Sequence, residues 1–427
     1  MPSNPAYCLG IPVSAEDLGK TGGLGIRALF RNPNYVCVWM FGGLTGFIRW
    51  FQLLALGVYT FEITDSPFLV SLVPVLWGLP LTLAGPVIGG VADRVNRKLF
   101  LGTGIAGILV VSLVMAFLAH TGELAFGHIA AASLLSGLFW ATDMPLRRRL
   151  MGDVAGENLS SAMSLDSATN SATRMLGPFL GGAMLQVFGI VGVFGLSTVA
   201  YAAGLLLVFM IRLPGQAVSG ASPSLLRDLV AGIRLALGDW ELRRVLAVTV
   251  VFNIFGFPVT SMIPILGREQ LGLTPSLVGF LSSLEGAGAF AGGMAIAIFA
   301  TPANYGRIFI GGVLLHLTLV FYLSILAAVS GGPNHSFVAA SLTLSMAGVA
   351  MSGFAAMQST LTYYHTAAEY RSRVLGVVAL CIGTGPLGFL NVGWLAENHG
   401  LPAALAIMSL EGLFGMLLLW YWGALRR

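Results

Sequence analysis

The sequence predicts an all-α polytopic membrane protein, with twelve transmembrane helices arranged as two six-helix pseudo-repeat bundles. Three observations carry this: 56% of the 427 residues are hydrophobic against 9% charged, apolar runs of spanning length recur along the chain, and the two halves align with each other at a constant offset. So few charges cannot cover the surface of a soluble protein of this size. The 22 basic and 18 acidic residues nearly cancel, leaving a net charge of +4. Basic residues sit in short clusters between apolar stretches, a pattern of membrane topology and not of a phosphate-binding face, so nucleic acid is not an expected partner. Cys8, Cys37 and Cys381 are too scattered for a disulfide framework, and no Cys/His spacing resembles a metal site. Neither a metal nor a cofactor is expected.

An α-helix needs about 20 apolar residues to cross about 30 Å of hydrocarbon. Twelve runs meet that length: 35–61, 68–92, 99–118, 126–145, 162–188, 191–211, 245–266, 277–299, 308–329, 337–357, 374–395 and 403–422. Backbone in lipid must satisfy its own hydrogen bonds, which makes these runs helices and not strands. The first follows a polar, Gly-rich leader at 1–34 and is too long for a cleaved signal, so it is expected to stay in the mature protein. With the N-terminus cytoplasmic, Arg268 is the one basic residue in an opposite loop. Arg49 and Arg174 lie inside runs, and every other Lys and Arg falls on the cytoplasmic side, as the positive-inside rule requires. An even number of crossings then places both termini in the cytoplasm.

The repeat is read from residues that coincide at one offset. Pro67, Leu69, Val70, Gly78 and Gly85 align with Pro275, Leu277, Val278, Gly286 and Gly293, and Gly177-Pro178 aligns with Gly385-Pro386. The expected organisation is a leader at 1–34, an N-terminal bundle at 35–212, a cytoplasmic linker at 213–243 and a C-terminal bundle at 244–427. Within the linker, Ser222 and Pro223 form an N-cap and first helical position, and apolar residues from Leu225 to Ile233 recur at helical spacing. This predicts an amphipathic helix lying on the inner membrane face.

Between the second and third runs stands Gly89-Gly90-Val91-Ala92-Asp93-Arg94-Val95-Asn96-Arg97-Lys98. The segment resembles the signature of the major facilitator superfamily: a Gly, three residues, Asp-Arg, two residues, then two basic residues. Asn96 stands where the family usually has Gly; Asn also tolerates a left-handed turn. A positive-inside loop alone would explain Arg94, Arg97 and Lys98 but not Asp93 at that spacing. The resemblance implies a cytoplasmic gate in which Gly89 allows close helix approach, Asp93 meets a helix N-terminus of the other half, and the basic residues anchor to headgroups. Asp143, one turn before Arg147, is expected to join that network.

The fifth run carries Gly177-Pro178-Phe179-Leu180-Gly181-Gly182, which is similar to the Gly-Pro signature of drug-type antiporters, with Thr173 in place of an upstream Gly. The small residues are expected to pack helices closely, as are Gly385 and Pro386 in the second half. Pro145-Leu-Arg-Arg-Arg, Glu157-Asn-Leu, Asn170, Arg174-Met-Leu-Gly-Pro, Ser224-Leu-Leu-Arg-Asp-Leu and Glu369-Tyr-Arg-Ser-Arg-Val-Leu-Gly are similar to bacterial siderophore exporters of the enterobactin type. That resemblance spans nearly the whole chain. It implies a monomeric inner-membrane protein exporting an organic molecule against a proton influx.

Ionisable groups at membrane depth cost several kcal/mol unless paired or wetted. Arg49, Asp166, Arg174 and Glu285 lie within runs that line the central cavity in the superfamily. Asp166, Asn170 and Arg174 are spaced four apart on one helix face. Glu285 takes the repeat position of Trp77, placing a carboxyl at mid-membrane depth where it could load and release a proton. Equally, Arg49 and Arg174 could neutralise Asp166 and Glu285 and merely tie helices together. His316 and Glu411, on outer runs of the superfamily, are expected to snorkel or bond to a neighbouring helix. Phe41, Phe47, Trp50, Phe51, Trp77 and Phe252 could form an aromatic wall for cargo. The expected partners are a small-molecule cargo, protons and the lipid bilayer. Uptake or facilitated movement of a solute such as a lysolipid or metal chelate stays open, as does a transport-inactive receptor or assembly factor. Enzyme activity has no support, since no nucleophile–base pair can be assembled.

Overall fold

The computed structural model of the protein describes residues 27–92, 97–212, 225–329 and 333–421. Among the described residues the chain is helical, without strands. The helices are α1 (Pro33–Thr64), α2 (Pro67–Ala92), α3 (Arg97–Thr121) and α4 (Phe126–Ala155). A stretch from Leu159 to Met210 breaks at Gly189, whose φ of 64° only glycine adopts freely, into α5 (159–188) and α6 (190–210). The linker helix α7 (Leu225–Gly238) precedes α8 (Trp240–Gln270), α9 (Pro275–Phe299), α10 (Tyr305–Val329) and α11 (Pro333–His365). Gly400, at φ 79°, separates α12 (371–399), itself interrupted by a turn between Ile382 and Gly385, from α13 (401–421). Nine stretches among the described residues are long and apolar enough to cross a membrane. Two of these are the double stretches broken at Gly189 and Gly400, and α2 contributes a shorter apolar stretch, Pro67–Leu83.

Local signals set the helix ends. Asn32 caps α1 by accepting from the Asn34 amide at 3.0 Å, Pro33 occupies the first turn, and Asp65 stops the helix in a left-handed conformation. In α8 the ladder is irregular, with π-helical turns at Phe252–Gly256 and Leu266–Gln270 around a 3-10 segment at Phe257–Met262. Pro258 and Pro264 have no N–H to give, so a regular α ladder cannot close there.

Two runs end differently from the sequence expectation. The fourth continues past Pro145 to Ala155, so Arg147, Arg148 and Arg149 belong to a helix and not to a loop. A proline is tolerated inside a membrane helix when neighbours satisfy the freed carbonyl. The linker helix is present, but Asp239 caps the next helix by accepting from Leu242 N at 2.9 Å, so 240–243 already belong to α8. Its apolar face does not simply lie on the bilayer: Ala236 is buried with Leu242, Leu246, Val374, Val377 and Val378 of α8 and α12. Ser222, Pro223 and most of the 1–34 leader lie outside the described residues.

The halves meet along two seams, α5 on α9 and α2 on α12. Glycine permits the first: a Cβ on Gly182 would collide with the Pro275 carbonyl, and one on Gly279 would lie 2.5 Å from the Pro178 carbonyl. At the second, Pro386 lies against Gly78 and the Gly393 backbone meets Ser71. Gly177 and Gly181 instead bring α5 onto α1 at Trp50 and Phe51, and Gly385 sits near Asn253 of α8. Polar contacts join the halves at the end of the bundle opposite the start of α1 and the end of α13. Arg268 pairs with Glu62 at 3.0 Å, Glu397 accepts from Ser66 Oγ (2.8 Å) and Phe68 N (3.1 Å), and Gln186 accepts from Ser276 N at 3.1 Å. Gly182→Val should force α5 and α9 apart and lower stability by about 1–3 kcal/mol, the usual penalty for overpacking, as read from thermal unfolding in detergent; an unchanged melting temperature would contradict the close seam.

Candidate functional site

A small recess of about 50 Å³ lies inside the N-terminal half between α1, α2, α4, α5 and α6. Four charged residues line it: Arg49, Asp143, Arg147 and Asp166. Arg147 is the hub. Its Nη1 donates to Asp166 Oδ1, and its Nε lies 3.8 Å from Asp143 Oδ2, an ionic contact too long for a hydrogen bond. Gly42 makes room for this guanidinium, since a Cβ there would lie 2.5 Å from Arg147 Nη1. Arg49 Nη2 donates to Asn170 Oδ1 at 2.9 Å, and its guanidinium lies 5.0, 5.8 and 5.5 Å from the ring centres of Trp50, Trp77 and Trp140. Trp77 and Trp140 stack at 4.4 Å because Gly137 lets α4 reach the Trp77 backbone. Cation–π attraction of this kind strengthens when the cation is desolvated.

Two arginines face two aspartates, so the recess is balanced in charge. Neutralising one carboxylate would leave an uncompensated cation in a low-dielectric site, and adding an anion would do the reverse. Asp143 is 4% exposed and its Oδ1 has no hydrogen-bond partner; Arg49 Nε and Arg147 Nε are likewise buried without one. Buried polar atoms left unpaired in this way are where a water or ligand would bond.

A second centre lies on the α5–α9 seam. Arg174 Nη2 is 3.4 Å from Glu285 Oε1 and 3.3 Å from the Met351 sulfur, and its guanidinium lies 5.1 Å from the Trp50 ring centre. This ion pair joins the two halves midway along α5 and α9. Next to it the Phe179 amide donates to Ser283 Oγ at 3.0 Å. Glu285 also lines a small cavity within the C-terminal half, together with His316.

The structure rearranges several sequence expectations. Asp166 and Asn170 turn into the recess, whereas Arg174 on the same face reaches the seam. Asp166 is paired with Arg147 and not with Arg49. Asp143 lines the recess beside Arg147, its position one turn before that arginine aiming both side chains the same way; the gate network expected for it includes Asp93, which lies outside the described residues. Lys98, expected to anchor to headgroups, donates from Nζ to the Phe209 and Ile211 carbonyls at 2.7 Å each, capping the end of α6. Gly89 falls in the last turn of α2 and Arg97 opens α3, while Asp93 and Arg94 lie outside the described residues. Of the six expected wall aromatics only Trp77 lines the recess. Phe41, Phe51 and Phe252 are buried in packing, the last stacked on Phe354 at 4.0 Å. Glu411 accepts from Asn391 at 3.1 Å, a bond to a neighbouring helix. Sequence reasoning missed Trp140, Gln52 and Tyr201 as recess residues, and it set Arg147 beside Asp143 at the gate without assigning it to the recess.

Two helical bundles with an ion pair at their seam and a polar recess in one of them fit the architecture of a membrane transporter. The chain belongs to the Major Facilitator Superfamily, whose family profile matches residues 38–387. It is 20% identical to macrolide efflux protein A of Streptococcus pyogenes over 353 residues, covering 81% of this chain and 85% of that one. It is 21% identical to the staphyloferrin A transporter of Staphylococcus aureus over 341 residues, 78% of this chain and 82% of the relative. Among solved structures, a POT family transporter in complex with 5-aminolevulinic acid superposes with a TM-score of 0.73 at 10% identity, over 90% of this chain and 95% of that one, a likeness of fold alone.

Arg147→Met would strand two carboxylates and should destabilise the protein by about 3–5 kcal/mol, the range for breaking a buried pair. Arg147→Met combined with Asp166→Leu should recover part of that loss. A double-mutant cycle on unfolding midpoints reads the coupling, and strict additivity of the two changes would refute the pairing.

Proposed function

We propose that the protein is a proton-coupled exporter of small organic molecules, amphipathic drug-like or siderophore-like, working as a monomer in a bacterial cytoplasmic membrane with both termini inside. Support for efflux comes from the macrolide efflux relative, and the staphyloferrin A relative favours a metal-chelating cargo within the same class. The observation that carries the reading is the recess with its balanced Arg49, Arg147, Asp143 and Asp166. Cargo can bond there only by exchanging with an existing pair, so its arrival and a proton on a carboxylate compete for the same charge balance.

In this reading the recess serves cargo, and Asp166 or Glu285 takes up the proton. The contacts of Glu62, Glu397 and Gln186 hold the face opposite the termini closed, so the recess communicates with the cytoplasm. Rocking the halves about the glycine seams would open the other side. Asp93, with Gly89, Arg94, Arg97 and Lys98 around it, would then stabilise the outward-facing state. The bundles would move as units at 35–212 and 244–427.

In everted vesicles an acidified lumen should drive cargo inward, and Asp166→Asn or Glu285→Gln should each cut that accumulation about tenfold or more, the range typical of lost proton transfer groups. Accumulation that ignores the pH gradient would overturn proton coupling, and flux in the reverse direction would identify an importer. Asp93→Asn should slow turnover while leaving cargo binding close to wild type, measured by ligand titration; wild-type turnover would remove the gate.

A further inference from the structure

Asp143 is a buried carboxylate with unused bonding capacity. It is 4% exposed, its Oδ1 has no hydrogen-bond partner, and its Oδ2 has Arg147 Nε at 3.8 Å, beyond hydrogen-bond reach. An ionised carboxylate can accept about four hydrogen bonds. Around the same recess, Arg49 Nε and Arg147 Nε are buried donors without an acceptor. The walls thus present an acceptor and donors together. Unpaired buried atoms of both kinds are costly, so the group that fits here must donate and accept at once.

Charge decides which group that is. An ammonium would satisfy Asp143 but sit beside two guanidiniums, and a carboxylate would satisfy the arginines but face Asp143 and Asp166. Either adds an uncompensated charge to a site whose two arginines and two aspartates already cancel. A hydroxyl adds none, because it donates its proton to Asp143 while its oxygen accepts from an arginine. Two adjacent hydroxyls can serve the two carboxylate oxygens together. The space of about 50 Å³ is about three to five times the least that one water needs, which suits the hydroxylated edge of a ring and not a whole cargo. Trp77 and Trp140 line the same recess and give the C–H surface of such a ring an apolar wall.

We propose that the recess is a subsite for an uncharged group of the cargo carrying adjacent hydroxyls, the edge of a sugar or cyclitol ring, with Asp143 accepting from them and Arg49 donating to one. Arg49 does so by giving up its bond to Asn170, whose amide, like that of Gln52 on the same wall, can then donate to or accept from the ring. Arg147 stays with Asp166 and keeps the remaining charges matched. The proposal rests on the reading above that the recess serves cargo, and narrows that cargo to one chemistry.

The test is calorimetric titration of full-length protein in lipid nanodiscs, free of glycosidic detergent, with three probes of one shape. These are phenyl glucoside, its 2-amino-2-deoxy analogue kept cationic by mildly acidic buffer, and the anionic phenyl glucuronide. The neutral glucoside should bind about tenfold or more tighter than either charged probe. Asp143→Asn should weaken it about tenfold, the scale of a lost hydrogen bond to a charged group. The same substitution should strengthen the glucuronide, since the recess then carries a net positive charge. Tightest binding of the amine would overturn the proposal in favour of a cation site, and tightest binding of the glucuronide in favour of an anion site. No glucoside binding, or binding indifferent to Asp143→Asn, would overturn it as well. Should that variant not fold, the order of the three probes on the unaltered protein still decides. No pH gradient enters these titrations, so pH-driven export of another cargo can stand when the subsite fails, and the subsite can stand when proton coupling fails.

Discussion

The interior of a bilayer tolerates an ion only where an opposite charge or a set of polar and aromatic partners holds it, and this constraint organises the molecule. Arg147 stands between Asp143 and Asp166, Arg49 is held by Asn170 and three indole faces, and Arg174 crosses to Glu285 in the other half. Each is a mutual arrangement, so none of these side chains can move alone. In a water-filled site such pairs would be worth little. At membrane depth the cost of leaving one unpaired turns a local swap of partners into a force on the helices that carry them.

Whether that force can do anything depends on how the helices touch. The α5–α9 seam is lined by Gly182, Gly279 and Gly286, so backbone meets backbone with little side chain between. Such surfaces interlock less than large side chains would, and they place Arg174 and Glu285 within reach although the residues belong to different bundles. The seam thus couples the position of the halves to the state of one ion pair. The recess, by contrast, is built wholly from N-terminal helices, so its chemistry is independent of the seam except through α5, which carries Asp166 and Asn170 on one side and Arg174 toward the other.

Much of this was legible in the amino-acid order. The crossings and the separation of 162–188 from 191–211 and of 374–395 from 403–422 follow from hydropathy, whereas the glycines that make those breaks, Gly189 and Gly400, were identified by the structure. Arg49, Asp166, Asn170, Arg174 and Glu285 stood out because charges are rare inside apolar runs. Arg147 did not, because three consecutive arginines after a proline read as the start of a basic loop. His316 was set apart as an outer-helix residue because its two carbonyl partners are 31 and 60 residues away. Lys98 looked like a lipid anchor, since nothing local announced the end of α6 as its partner.

What the sequence alone determined is therefore the quantity that depends on composition along a helix: which segments leave water, which face carries the charges, and that the halves repeat. Those follow from transfer free energy and helical period, both local. Only the tertiary structure decided which cation neutralises which anion, since an ion pair is chosen by distance across helices, and several arginines and carboxylates compete for each partner. Periodicity put Asp166 and Arg174 on one face of one helix; packing sent the first into a recess and the second across the boundary between the bundles.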